Sequence, residues 1–211
     1  MDAILLTHEH ADHISGLPVL LRGIKSRTVP VYATPSTAEA IDWNNCEPEL
    51  RPFQAGSRFT IGDITVQSFT IPHDAADPVG FRFEIGGWKA GLVTDLGYIP
   101  ESVKYHLRDI HFLLLEANHD IEMLKVGPYP WQVKQRVMSR KGHLSNDRAV
   151  DFIAHDLAAT TLTLVLGHLS ERNNHPEIVR MAARQALDHR GLPARLVVAE
   201  PRCQTELFEF D

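Results

Sequence analysis

Apolar and polar positions change rhythm along this chain. Asp2–Thr7 is a short apolar run that reads as a buried strand and leads straight into His8. Ile14–Lys25 carries aliphatics at helical spacing, and Val29–Ala33 returns to a strand that stops at Pro35. Ser36, with Glu39 three residues on, predicts a helix opened by a capping box. The middle of the chain reads as β-structure over Arg58–Ile61, Ile64–Ile71, Val79–Ile85 and Trp88–Thr94, with Gly62-Asp63 and Gly86-Gly87 as hairpin turns. Beyond Glu101, strands at Phe112–Glu116, Thr161–Gly167 and Ala194–Ala199 alternate with helices, the clearest being Asp147–Ala159 and Pro176–Arg190. This alternation predicts an α/β fold, a sheet-rich core covered by helices, with residues 1–211 forming a single domain.

Composition narrows the class. With 211 residues, 44% of them hydrophobic, the chain can bury a substantial core. No run reaches the ~18 apolar residues of a membrane span, and no signal peptide is read ahead of His8, so a cytoplasmic protein without membrane partners is expected. Cys46 and Cys203 are the only cysteines, too few for a disulfide scaffold or a cysteine-rich zinc module. The net charge of −6 argues against a globally basic nucleic-acid binder. Histidine is the outlier, with 12 residues.

Their placement points to a metal. His8-Glu9-His10-Ala11-Asp12-His13 puts three imidazoles and a carboxylate within six residues, just after an apolar strand. These donor types suit zinc, manganese or iron. Further histidines and acids stand at or near the ends of apolar runs: His73, Asp95, Glu116 and His168.

The motif H-x-H-x-D-H resembles that of the metallo-β-lactamase-fold hydrolases. The match continues through His73 in Ile71-Pro72-His73-Asp74, Asp95 in Thr94-Asp95-Leu96-Gly97, and His168 in Gly167-His168-Leu169. Glu116–Asp120 and Gly142-His143-Leu144-Ser145-Asn146 look most like the YycJ (WalJ)-type bacterial branch, which is exonuclease-like and related to tRNase Z-type nucleases. The resemblance implies an αββα sandwich and two divalent ions, Zn2+ first and Mn2+ or Fe2+ as alternatives. His8, His10 and His73 would hold one ion; Asp12, His13 and His168 the other; Asp95 and a hydroxide would bridge them. It also implies that Asp12 steers the hydroxide, while His143, oriented by Glu116, protonates the leaving group. Members of this family normally carry strands and a helix ahead of the motif. A chain in which the motif begins at residue 8 is therefore expected to lack N-terminal strands and to be poorly soluble.

Substrate class follows from charge. Lys125, Lys134, Arg136, Arg140, Lys141 and Arg148 stand against one acid, Asp147, between positions 125 and 148. Lys134, Arg136, Arg140 and Lys141, together with His119, are the candidate substrate contacts. The expected function is a dinuclear metal-dependent phosphodiesterase, an exodeoxyribonuclease-like enzyme with nucleic acid as substrate. The alternatives are a glyoxalase II-like thioester or small-ester hydrolase, and an inactive metal-binding fragment. The remaining histidines read as surface or structural residues.

Overall fold

The computed structural model describes residues 1–24, 29–44 and 46–209. The chain runs β1 (Ile4–Leu5), α1 (Ala11–Ile14), α2 (Leu17–Gly23), β2 (Val31–Ala33), α3 (Pro35–Ala40), β3 (Leu50–Pro52), β4 (Arg58–Ile61), β5 (Ile64–Thr70), β6 (Val79–Ile85), β7 (Trp88–Val93) and α4 (Glu101–His106). It continues with β8 (Phe112–Glu116), α5 (Ile121–Val126), α6 (Trp131–Val137), α7 (Asn146–His155), β9 (Thr163–Gly167), α8 (Pro176–His189) and β10 (Arg195–Val198).

Among the described residues there are two sheets. A small parallel sheet has the order β1-β2-β3, and a seven-stranded sheet has the order β10-β9-β8-β7-β6-β5-β4. Strands β4 to β7 are antiparallel neighbours, whereas β7, β8, β9 and β10 pair in parallel. Gly86 and Gly87 close the β6–β7 hairpin with φ of 54° and 88°, the left-handed pair that a two-residue primed turn demands.

Three apolar clusters stack these parts into αββα layers. Leu6, Leu17, Val31 and Ile41 bind α1–α3 to the small sheet. Phe53, Val66 and Phe81, with Leu5 and Tyr32 against them, join the two sheets. The largest cluster packs α4, α7 and α8 on the seven-stranded sheet. In α8 the buried residues Val179, Ala183, Ala186 and Leu187 fall on one helical stripe, opened by Pro176 at the first turn. β8 is paired on both sides and reads Phe-Leu-Leu-Leu-Glu, the near-continuous apolar run of an interior parallel strand.

Several boundaries differ from the sequence expectation. The first strand shrinks to two residues, and the helix expected over Ile14–Lys25 divides at Ser15-Gly16; its end at Lys25 lies outside the described residues. The cap of α3 is Thr34, not Ser36: Thr34 accepts from the Thr37 amide, and Pro35 occupies the first helical turn. β3 has all three side chains exposed and ends in proline, so only its pairing with β2 defines it. No helix among the described residues is long and apolar enough to cross a membrane.

Candidate metal centre

Parallel register builds one edge of the site. Val93, Leu115 and Leu166 sit side by side across β7, β8 and β9, and Glu116 pairs with Gly167 one step further. The residues that follow, Asp95 after β7 and His168 after β9, therefore leave the sheet beside Glu116. Both have left-handed backbones, with φ of 61° and 57°. For residues other than glycine, that conformation costs on the order of 1–2 kcal/mol each. The short strand β1 brings the histidine motif to the same place, with His10 as N-cap of α1.

The structure brings the predicted donors into two groups. His8, His10 and His73 form the first, with candidate ligand atoms within 4.8 Å of one another. His10 Nδ1 lies 3.1 Å from His73 Nε2, while His73 Nδ1 donates to the Gly142 carbonyl at 3.1 Å. His8 Nδ1 meets Thr7 Oγ1 at 3.1 Å, leaving its buried Nε2 without a partner. Asp12, His13, Asp95 and His168 form the second group. His13 Nε2 and Asp95 Oδ2 lie 3.2 Å apart, both buried and neither hydrogen-bonded. Asp95, 1% exposed, also sets its Oδ1 4.0 Å from His73 Nε2, so it reaches both groups.

These donors fit divalent cations. Three buried, unpartnered donor atoms converge, and buried polar atoms without partners are rare unless a function needs them. Burial pushes His8 down to about 3, helped by the charge of His13, and also lowers His73. Both rings are thus neutral, the form that ligates. Burial works against ionised Asp95, yet His13 and His168 beside it hold its carboxyl well below the usual range. Burial likewise opposes protonation of His168, but hydrogen bonds to Asp12 and Glu116 raise it to about 11. The carboxylates here call for positive charge.

Glu116 organises the second group from beneath. It is fully buried and accepts four hydrogen bonds. Its Oε1 takes His143 Nδ1 at 2.8 Å and His168 Nδ1 at 2.9 Å; its Oε2 takes the Leu96 and Leu144 amides at 2.9 and 3.1 Å. Desolvation would raise its pKa, but the two imidazoles keep it lowered. The expected Glu116–His143 contact is present; the equal hold on His168 was not foreseen.

Also unforeseen is a buried amide hub behind these residues. Asn174 and Asn146 exchange side-chain hydrogen bonds at 2.8 and 2.9 Å, and Asn174 Nδ2 also reaches the Ala117 and Asn118 carbonyls at 2.8 and 3.0 Å. Asn118 in turn donates to the His168 carbonyl at 2.9 Å. The hub ties together the segments that carry Glu116, His143 and His168. Polar runs such as Asn173-Asn174 were the available signal.

The candidate substrate residues separate. Lys134 is buried and its Nζ donates to the Lys125 carbonyl at 2.7 Å, so it closes the end of α5 and does not face the cleft. Arg136 grips Asp74 beside His73. His119 is 2% exposed, and its Nδ1 has no partner. Burial holds its pKa down at about 4. Arg140 and Lys141 are exposed on the turn that precedes His143.

Comparison with known proteins agrees with this geometry. Residues 1–169 match the beta-lactamase superfamily domain. Exodeoxyribonuclease YycJ of Bacillus anthracis is 39% identical over 194 residues, covering 90% of this chain and 72% of that protein. Exodeoxyribonuclease WalJ of Streptococcus pneumoniae serotype 2 is 37% identical over 186 residues, 86% of this chain and 68% of that protein. The metallo-beta-lactamase fold protein YhfI from Bacillus subtilis superposes with a TM-score of 0.69 at 18% identity, covering 95% of this chain and 75% of its own. The short form of human tRNase Z gives 0.61 at 19% identity, covering 94% and 76%.

Proposed function

The chain belongs to the beta-lactamase superfamily, and from that membership we propose that it is a dinuclear metal-dependent phosphodiesterase, an exodeoxyribonuclease acting on DNA. One observation carries the reading: Asp95 belongs to the second donor group and reaches to 4.0 Å from His73 of the first, and His143 hangs on the same buried carboxylate as His168. His8, His10 and His73 would hold one cation and Asp12, His13 and His168 the other, with Asp95 between; imidazole and carboxylate donors favour Zn2+, with Mn2+ or Fe2+ next. Two such cations supply Lewis acidity, charge neutralisation and water-derived nucleophile strength at neutral pH.

The chain's own residues do the rest. Asp12, on the exposed side of the site between His13 and His168, orients the nucleophile. His143 keeps Nδ1 on Glu116, which leaves Nε2 to give a proton to the departing alkoxide. Burial opposes the imidazolium, but Glu116 outweighs it and keeps the His143 pKa above its ordinary value, so the proton is available near neutral pH. His119 is buried beside them, and that burial favours its neutral ring. Cys46 and Cys203 are free thiols.

The test is turnover of 5′- and 3′-labelled DNA and RNA by metal-loaded protein, with a thioester as control. His143→Ala is expected to lower DNA cleavage by about 10²–10⁴-fold while metal content stays at two ions. Asp95, Glu116, His143 and His168 also lie close enough to share an ion, so the metal measurement is decisive. Loss of a metal would make His143 a ligand, and faster thioester than DNA turnover would overturn the nuclease assignment.

A further inference from the structure

The six cations between positions 125 and 148 are not equivalent. Lys125 is paired with Glu122 at 2.7 Å, Lys134 is spent on a carbonyl, and Arg136 is held by Asp74. Arg140, Lys141 and Arg148 are exposed, and among the described residues no carboxylate pairs with any of them. They are gathered along one lip of the metal centre. The guanidinium carbon of Arg140 lies 4.2 Å from the centre of the Tyr98 ring. Arg148 donates to the Gly97 carbonyl. Gly97 itself lies so close to the 139–140 backbone that a Cβ there would fall 2.4 Å from Ser139 and Arg140 atoms. Loop 95–98 thus starts at Asp95 and docks on turn 139–142, whose Gly142 carbonyl holds His73 and whose next residue is His143.

We propose that Arg140, Lys141 and Arg148 form a backbone-phosphate grip for single-stranded nucleic acid beside the metal centre, with Tyr98 as the positioning residue for Arg140. This rests on the nuclease reading above and names how its substrate strand is held. A guanidinium stacked on an aromatic ring keeps its edge free for a phosphate and loses less freedom when it binds one. In a chain of net charge −6, three exposed cations on one lip, with no carboxylate partner among the described residues, are where a polyanion can approach. No base-reading group is part of the set, so the grip is indifferent to sequence.

The probe is a fluorescein-labelled, fully phosphorothioate-linked 12-nucleotide oligodeoxythymidine, which resists cleavage, titrated against metal-loaded protein by anisotropy at several salt concentrations. Arg140→Gln and Arg148→Gln are each expected to weaken binding about 3- to 10-fold at low salt and to reduce the salt slope by roughly 0.7. The triple glutamine variant loses measurable binding, whereas Arg184→Gln on the outer face of α8 keeps it. Tyr98→Leu weakens binding several-fold and Tyr98→Phe restores it, which a purely structural tyrosine would not predict. Melting temperature and metal content are followed for every variant. Wild-type affinity and slope in the triple variant overturn the grip, and wild-type affinity in Tyr98→Leu overturns the role of Tyr98. A wild-type protein that binds the probe but fails to cleave its phosphodiester counterpart refutes the nuclease reading alone.

Discussion

Replacing Glu116 by Gln isolates the organising carboxylate, because volume is kept and only charge and one acceptor change. Oε1 serves two imidazole Nδ1 donors and Oε2 serves the Leu96 and Leu144 amides, so an amide NH2 must face two donors whichever way it lies. Facing the backbone, it would strand two buried N–H groups at about 1–3 kcal/mol each. Facing the imidazoles costs less, because these rings can move their proton to Nε2. That move, however, removes the Nε2 lone pair through which His168 would hold a metal. Replacing charge-assisted bonds by neutral ones loses roughly 1 kcal/mol per imidazole. The expected stability loss is therefore about 2 kcal/mol, or about 4–8 °C in melting temperature for a chain of this size. Affinity for the second metal should fall about 10–100-fold. Chelator competition reads the affinity, and nitrogen-15 NMR of the imidazoles reads the tautomers. Two metals bound at wild-type affinity, with Nδ1 still protonated on His143 and His168, would refute the reasoning.

Two other consequences are measurable. Asn174→Ala takes partners from both ends of the Asn146 side-chain amide and from the Ala117 carbonyl, while the Asn118 carbonyl keeps the Ser170 N–H. A loss of about 3 kcal/mol should lower the melting temperature by about 6–12 °C; a shift within 2 °C (about 0.5 kcal/mol) would show that the hub relaxes freely. His119 has its pKa pressed from the ordinary 6.5 to about 4 by burial, so the unfolded chain binds its proton first as pH falls. The stability this group contributes is whole above pH 6.5 and drains toward pH 4, by up to roughly 3 kcal/mol. In chelator-treated protein, His119→Gln should flatten the fall in urea midpoint between pH 7 and 5 relative to wild type, and parallel curves would contradict the assignment.

The donors themselves were legible because of where they stand. A buried strand shows as an apolar run, and a histidine or acid at its end has few reasons to be there. Asp95 and His168 follow β7 and β9 in this way and Glu116 is the last residue of β8, and parallel pairing then forces them together. The small sheet was harder. β3 carries an arginine and a proline on an exposed edge, so nothing local marks it, and Thr34 as the cap of α3 was masked by the Ser36–Glu39 pattern. The charge pattern is hard to read locally for a related reason. The partners of Arg136 and Lys134 are Asp74, far off in sequence, and a main-chain carbonyl, neither of which enters a local count of charges.

The same distinction separates the donors from the groups that aim them. A candidate ligand has to be an imidazole or a carboxylate, and that requirement is written in residue type. A group that orients a ligand needs only an oxygen in the right place. His73 is aimed by the carbonyl of Gly142, which every residue type offers. What singles out glycine there is space: a Cβ at position 142 would lie 2.2 Å from the Arg136 and Val137 carbonyls. Gly142 thus lets the turn close under α6, and the closed turn sets both the carbonyl on His73 and the start of the segment that carries His143 to Glu116. One small residue couples the two metal groups through the backbone. That coupling exists only in three dimensions, which is why the motif Gly-His-Leu-Ser-Asn pointed to His143 and was silent about His73.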